Sequence, residues 1–357
     1  MVGLSGGVDS SVAALLLLEA GREVHAVFMK NWEEDDDAGY CAAAADLADA
    51  RAVAERLGIV LHAVNFATEY WDRVFAEFLA EYRAGRTPNP DVLCNQEIKF
   101  RAFLDYALTL GAGRIATGHY ARIVADREGW QLRLGADPDK DQTYFLHRLD
   151  QEQLERSLLP LGALRKTQVR ERARQAGLPT AAKKDSTGIC FIGERRFREF
   201  LARYVPREPG PIETPEGRLL GEHQGLPYYT IGQRQGLGVG GVAGGLEEPW
   251  FVARKEMGRN ALVVVQGHDH PLLMTRQLAA SQVHWIAGAP PDAPPFVSRA
   301  RLRHRAPLEP CEVTGLDGPH AQIRFDRPQR AVTPGQAVVL YSGDRCLGGG
   351  VIDRAWN

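Results

Sequence analysis

Met1-Val2-Gly3-Leu4-Ser5-Gly6-Gly7-Val8-Asp9-Ser10-Ser11, residues 1–11, decides the fold class, because strand, turn and helix chemistry follow one another within it. Met1 to Leu4 is a short apolar run with strand character. The adjacent glycines Gly6 and Gly7 let the backbone curl until its N–H groups converge on one anion. From Ser10 to Glu19 the chain reads as a helix ended by Gly21, and the positive end of that helix favours the same anion. Ser10 and Ser11 offer hydroxyl donors, and Asp9 can cap the helix or hold a magnesium ion. The lysine of a Walker loop is missing, so this is a phosphate cradle of another kind.

Working outward, Glu23 to Met29 reads as a second strand, Ala42 to Leu57 as an Ala-rich helix stopping at Gly58, and Ile59 to Val64 as a third strand. Trp71, Val74, Phe75, Phe78, Leu79 and Tyr82 fall at helical spacing, and Arg114 to Gly118 looks like a strand end. This alternation predicts an α/β fold, a doubly wound parallel sheet with ligands at the carboxyl ends of its strands. The character changes near Tyr204, where Pro206, Pro209, Gly210, Pro211 and Pro215 crowd together. Beyond them Gly and β-formers dominate. Ala287 to Pro295 reads as a second linker, and the runs Phe296 to Leu302, Ala321 to Phe325 and Ala337 to Tyr341 suggest a small β-barrel. The expected division is a catalytic domain over 1–203, a central β-rich domain over 204–275 and a C-terminal β-barrel over 276–357. Gly236-Leu237-Gly238-Val239-Gly240-Gly241 matches a dinucleotide fingerprint formally, but no helix pattern follows it.

The 357 residues are 44% apolar and 25% charged, as in an ordinary globular protein of two or three domains. The apolar run Val12 to Leu18 is far short of the roughly 20 residues that span a bilayer. With no leader pattern at the start, the reading is a cytoplasmic protein without membrane association. The five cysteines, Cys41, Cys94, Cys190, Cys311 and Cys346, form no C-x-x-C pair, which argues against a disulfide framework or a zinc site. Residues 31–81 hold 12 acidic and 3 basic side chains, and residues 165–207 hold 12 basic and 4 acidic. Each run alone reads as a solvated face; together they suggest a polarised molecule with a region suited to a polyanion.

Two cysteines stand in informative surroundings. Cys94 follows the rigid polar turn Thr87-Pro88-Asn89-Pro90-Asp91, with Lys99 and Arg101 just beyond, and nearby cations favour a thiolate. Cys190 lies within Asp185-Ser186-Thr187-Gly188-Ile189-Cys190, inside the basic run. Cys41, Cys311 and Cys346 read as small core hydrophobes.

The first loop resembles the SGG-x-DS loop of the ATP pyrophosphatases, which split ATP between the α and β phosphates and transfer AMP. In order along the chain come SGGVDSS from Ser5, FMKNW from Phe28, TPNPDVLCNQEIKF from Thr87, ATGHYAR from Ala116, KDQTYFL from Lys140, DSTGICFIG from Asp185, YYTIGQRQGLG from Tyr228 and PGQAVVLY from Pro334. With this set the whole chain resembles the bacterial tRNA-specific 2-thiouridylases, which thiolate the wobble uridine of certain tRNAs, expected to be those for Lys, Glu and Gln. The resemblance implies ATP, with Mg2+, bound by Gly3, Leu4, Ser5, Gly6, Gly7, Val8, Asp9, Ser10, Met29 and Gly118. It implies Cys94 as nucleophile, Cys190 as persulfide carrier, and a transient Cys94–Cys190 disulfide. Asn89, Pro90 and Asp91 would surround the target uracil, with Asp91 the candidate general base. His119, Lys140, Asp141, Gln142, Arg303, His304 and Gln336 would touch tRNA; taken alone, His119 reads equally as a satisfied core histidine.

Two departures stand out. The family often has an aromatic residue where His304 stands, and only four residues precede Ser5, so the natural start is expected upstream of Met1. The implied partners are tRNA, a sulfur-relay protein or cysteine desulfurase as persulfide donor, and a reductant. In the implied reaction AMP is placed on the carbonyl oxygen at carbon 2 of uracil, and persulfide sulfur then replaces it. The alternatives are another ATP pyrophosphatase, a ligase or amidotransferase, for which no glutaminase-like segment is visible, or a non-catalytic tRNA-binding protein.

Overall fold

The computed structural model describes residues 1–33, 42–185, 197–239 and 248–357. Its first strands are β1 (Val2–Gly3), β2 (Ala26–Lys30), β3 (Leu61–Asn65) and β4 (Ile115–Ala116). A hairpin of β5 (Ala121–Asp126) and β6 (Gly129–Leu134) follows, then β7 (Ser157–Leu158). Strands β3-β2-β1-β4-β7 form a sheet in that order, with every pairing parallel. Helices Val8–Glu19 and Ala42–Leu57 connect the first three strands.

Strand β2 shows why both faces are covered. Its side chains alternate, so Val27 enters a cluster with Phe75, Phe78, Ile98 and Phe103, while Ala26 and Phe28 enter another with Val12, Val53 and Val169. A strand buried on both faces is expected of a parallel sheet between helices. The α/β expectation is met, and the carboxyl ends of β1, β2 and β4 deliver Ser5, Met29 and Thr117 to one edge.

The central region holds β8 (Gly210–Glu213), β9 (Leu219–His223), β10 (Trp250–Glu256) and β11 (Ala261–Gln266), ordered β10-β11-β8-β9. The last part holds β12 (Met274–Trp285), β13 (Phe296–Arg301), β14 (Glu309–Asp317), β15 (His320–Arg330), β16 (Ala337–Ser342) and β17 (Arg345–Trp356). Antiparallel pairing runs β12-β15-β14-β13-β16-β17, and β12 pairs with β17 to close the barrel. Closure removes the free edges that a sheet of this length would otherwise expose.

Two features differ from the sequence reading. Ala287 to Pro295 is a connection inside the barrel, between β12 and β13, and not a linker between domains. Strand β12 escapes a period-2 reading because its pairing with β17 shifts register between Ser281 and His284, and Gln282 adopts φ +51°. The hairpin β5–β6 is a second addition to the α/β pattern. It joins the barrel, with Arg133 opposite Arg345 and Leu132 opposite Cys346. Asp344 accepts from Arg122 at 2.8 Å and Arg133 at 3.1 Å. Tyr341 and Cys346 of the barrel belong to the same apolar cluster as Phe75 and Leu132, so the parallel-sheet and barrel regions share a core. No helix among the described residues is long and apolar enough to cross a membrane.

Candidate active site

The loop from Ser5 to Ser11 is tied together by its own hydroxyls. Ser10 Oγ accepts from Ser5 N at 3.1 Å and donates to Gly7 O at 3.0 Å, while Ser11 Oγ donates to Gly7 O at 2.8 Å. The hydroxyls thus hold the loop's shape. Gly118 lies against it so closely that a Cβ there would come within 2.8 Å of Asp9 C and Ser10 N. On the other side, Met29 Cε would stand 3.1 Å from a Cβ on Gly3. Residues 3–10, 29 and 118, expected around the nucleotide, are therefore neighbours at the carboxyl ends of β1, β2 and β4, with Ser5 exposed and Gly7 and Asp9 partly so.

Asp9 is more engaged than the sequence suggests. Lys166 Nζ reaches both its carboxylate oxygens, at 2.8 and 2.7 Å, and Tyr120 Oη donates to Oδ1 at 2.7 Å. Lys166 is buried at the start of the helix Lys166–Gln175 and also meets Asp185 at 2.8 Å. Asp185 in turn accepts from Lys140 at 2.7 Å and Arg170 at 2.6 Å. Partial burial pushes the Asp185 carboxyl up, but hydrogen bonds from Lys140 and Lys166 outweigh it and hold the group at about 2. The cation absent from the loop's own sequence is thus supplied from 157 residues away. Tyr120 was within reach of the sequence reading, since it follows His119 in a quoted motif; Lys166 carried no local signal beyond the basic count.

Among the described residues no group of three or more His, Cys, Asp or Glu side chains is placed to hold a metal. Asp9 is the loop's own carboxylate, and a magnesium ion commonly takes one or two carboxylates plus substrate phosphates. Asp9 would add one carboxylate to an ion carried by a nucleotide's phosphates, in competition with Lys166 and Tyr120.

The cysteine helix begins at the turn. Asn89 Oδ1 accepts from Asp91 N at 3.2 Å, an N-cap, and Pro90 occupies the first helical position, where a missing N–H costs nothing. Cys94 is fully buried and opens a π-helical stretch, Cys94–Ala102, a geometry that concentrates at functional sites. Of the two cations expected beside it, Arg101 is directed to Glu97 at 2.9 Å. Phe100 of this stretch packs on His119, ring centroids 5.6 Å apart, which ties the cysteine helix to the strand end at Gly118. Cys190, and with it the expected disulfide, lies outside the described residues, as does Cys41.

The residues expected to touch tRNA fall into distinct settings. His119 is buried, its Nδ1 2.7 Å from Thr117 Oγ1, and burial followed by the Lys99 charge pushes its pKa well down. Its charged form is disfavoured there. Asp141 is buried, with its carboxylate accepting from Arg301 at 2.6 Å, Thr143 at 2.8 Å and Gly135 N at 2.9 Å. Gln142 Oε1 accepts from Tyr120 N at 3.0 Å. His304 lies 3.2 Å from Asp141 O through Nε2 and packs on Phe145 at 4.4 Å between ring centroids; burial lowers its pKa. Arg303 donates to Ala331 O at 2.8 Å and Thr333 Oγ1 at 2.9 Å, and Gln336 Nε2 donates to Thr87 O at 2.7 Å. Most of these polar groups hold the site together. The basic run is partly neutralised as well: Lys183 pairs with Asp46 and Asp49, and Arg172 with Glu19.

Residues 1–194 match a family model described as tRNA methyl transferase HUP domain. Residues 198–266 match the tRNA methyl transferase PRC-barrel domain, and residues 275–352 the aminomethyltransferase beta-barrel domain. The tRNA-specific 2-thiouridylase MnmA of Methylococcus capsulatus is 61% identical over 359 residues, covering 100% of this chain and 96% of its own. The protein of the same name from Methylobacillus flagellatus is 60% identical over 355 residues, covering 99% and 98%. That from Pseudomonas aeruginosa is 58% identical over 356 residues, covering 99% and 94%.

Proposed function

This chain belongs to the tRNA-specific 2-thiouridylase family, and from that premise we propose how its residues divide the work of placing sulfur on carbon 2 of a tRNA uridine. It is a tRNA-uridine 2-sulfurtransferase that uses ATP. The model descriptions speak of methyl transfer and the relatives' names of thiolation; identity of 58–61% along essentially the full length is the more specific likeness. The observation that carries the division of labour is convergence. Loop, Met29 and Gly118 meet at one sheet edge, and His119 joins that edge to the helix of Cys94. Ligands of parallel sheets bind at this edge.

In this reading ATP lies with its phosphates on the loop N–H groups between Ser5 and Ser10, and Met29 and Gly118 line the nucleotide. Lys166 neutralises the departing pyrophosphate, the task a Walker lysine performs elsewhere. A magnesium ion held by the phosphates and Asp9 would supply further charge neutralisation. Asn89, Pro90 and Asp91 receive a uracil splayed from the anticodon loop, whose single strand yields its bases cheaply. Asp91 takes the N3 proton as the carbonyl oxygen at carbon 2 attacks the α-phosphorus, and pyrophosphate leaves.

A persulfide on Cys190, loaded by a sulfur-relay protein or cysteine desulfurase, then provides the sulfur. In one order Cys94 attacks Cys190 Sγ, a Cys94–Cys190 disulfide forms, and the released sulfide displaces AMP from carbon 2. In the other the terminal sulfur displaces AMP first, and Cys94 then cleaves the adduct to the same disulfide. Both orders end with a two-electron reduction by an external thiol. The setting is the cytoplasm, and the working division of the chain is 1–203, 204–275 and 276–357.

Cysteine substitutions test the reading. Cys190→Ser should accept no labelled sulfur from a persulfide donor while still binding tRNA and ATP. Cys94→Ser should load Cys190 and stall before thiolated tRNA appears, as seen on gels with and without reductant. Normal thiolation by Cys94→Ser in the presence of reductant would falsify the two-cysteine scheme.

A further inference from the structure

We infer that the barrel turn Pro334-Gly335-Gln336 is a positioning element for the turn that receives the target base, and that Gln336 sets it from the backbone. This rests on the reading that Asn89, Pro90 and Asp91 hold the uracil.

Thr87-Pro88-Asn89-Pro90 cannot brace itself. Its two prolines lack N–H groups, so no local ladder fixes the segment; Asn89 O accepts from Val92 N at 3.3 Å, but the backbone groups of Thr87 and Pro88 O need outside partners. The barrel supplies them. Thr87 N donates to Pro334 O at 3.0 Å, and Gln336 Nε2 donates to Thr87 O at 2.7 Å and Pro88 O at 3.4 Å. Both backbone polar groups of Thr87 are thus gripped by residues about 250 positions away. Gly335 permits the approach: its φ is +90°, and a Cβ would come within 2.8 Å of Thr87 N.

The gripping turn is itself held. Gly335 N donates to Ile352 O and Ile352 N to Gln336 O, both at 2.8 Å, which seats the turn on β17. Gln336 N donates to Thr333 O at 3.2 Å, and Thr333 Oγ1 accepts from Arg303 at 2.9 Å. On the far side of the site, Tyr144 Oη donates to Ala337 O at 3.0 Å, which holds the strand that follows Gln336. A barrel residue that merely touched RNA would have no need to hold the catalytic region's main chain. With this geometry Gln336 governs the rate at which a bound uridine reacts, more than the affinity for tRNA.

The test uses the full-length protein. tRNA affinity and the single-turnover thiolation rate constant at saturating tRNA and ATP are measured for wild type, Gln336→Ala, Gly335→Ala and Asn89→Ala. A single-turnover rate constant does not depend on the fraction of protein folded, so a loss of stability alone leaves it unmoved. Gln336→Ala should lower the rate constant about tenfold, the worth of one or two neutral hydrogen bonds, with tRNA affinity within about twofold. Gly335→Ala removes no polar side chain, yet should slow the same step by displacing Thr87. Wild-type rate constants in both variants would overturn the inference. So would weakened tRNA binding by Gln336→Ala with an unchanged rate constant, which would make Gln336 a plain RNA contact. Asn89→Ala probes the underlying reading separately: a wild-type rate from it would remove the base-receiving role of the turn, whatever the barrel variants do.

Discussion

The ammonium of Lys166 lies within 2.8 Å of three carboxylate oxygens, two on Asp9 and one on Asp185. A charge-assisted hydrogen bond to a partly enclosed group is worth about 1.5–3 kcal/mol. Replacing Lys166 by methionine keeps the apolar stem and removes that charge from the phosphate loop. The expected outcome is a fall of about 100-fold in tRNA-dependent pyrophosphate release, with tRNA affinity unchanged. Pyrophosphate release at the wild-type rate would show that Lys166 serves only to restrain Asp9. At this scale the sequence was informative wherever chemistry was local. Ser5 to Ser11 carry their own turn and hydroxyls, and Asn89 to Cys94 their own cap, so their geometry could be anticipated. Lys166 and Arg301 could not, because each meets an aspartate some 160 residues away.

At the scale of elements, the turn from Ala331 to Gln336 joins RNA-facing expectations to internal bracing. Arg303 donates to Ile231 O, Ala331 O and Thr333 Oγ1 through a single terminal nitrogen. Arg303→Ala should therefore do two things. It should flatten the salt dependence of tRNA binding by roughly one phosphate contact, a slope change of about 0.7–0.9. It should also slow the chemical step, because Thr333 loses the guanidinium that steadies the turn. Titrations across a range of salt, paired with single-turnover rates, separate these effects; an unchanged slope would place the RNA phosphates elsewhere. Elements with a clean period were legible, as the helix Ala42–Leu57 shows. Hairpin β5–β6 was not, since Arg122 and Arg133 look like solvent-facing residues until Asp344 is seen opposite them.

Across the whole molecule, burial disfavours the charged form of several histidines. Burial lowers the pKa of His119, His223 and His304, and brings His147 to about 3, where its ring lies fully enclosed with Nδ1 donating to Tyr144 O at 2.8 Å. An unfolded histidine takes up its proton near pH 6.5. Below that pH the unfolded chain binds more protons than the folded one, so stability is present above pH 6.5 and declines as pH falls toward 3. His147 alone should account for about 2 kcal/mol of loss by pH 5. One apolar cluster runs from Phe75 and Ile98 through Leu226 and Val264 to Val339 and Tyr341, so catalytic, central and barrel regions should lose stability together. The composition shift near Tyr204 announced separate regions, but no feature of the sequence announced this shared core. Thermal melts between pH 7.5 and 5 should show a single transition whose midpoint falls with pH. His147→Gln, which cannot take up the proton, should flatten that fall. Equal midpoints at pH 7.5 and 5 in the wild type would mean that His147 is already protonated in the fold, and the neutral, enclosed ring would have to be abandoned.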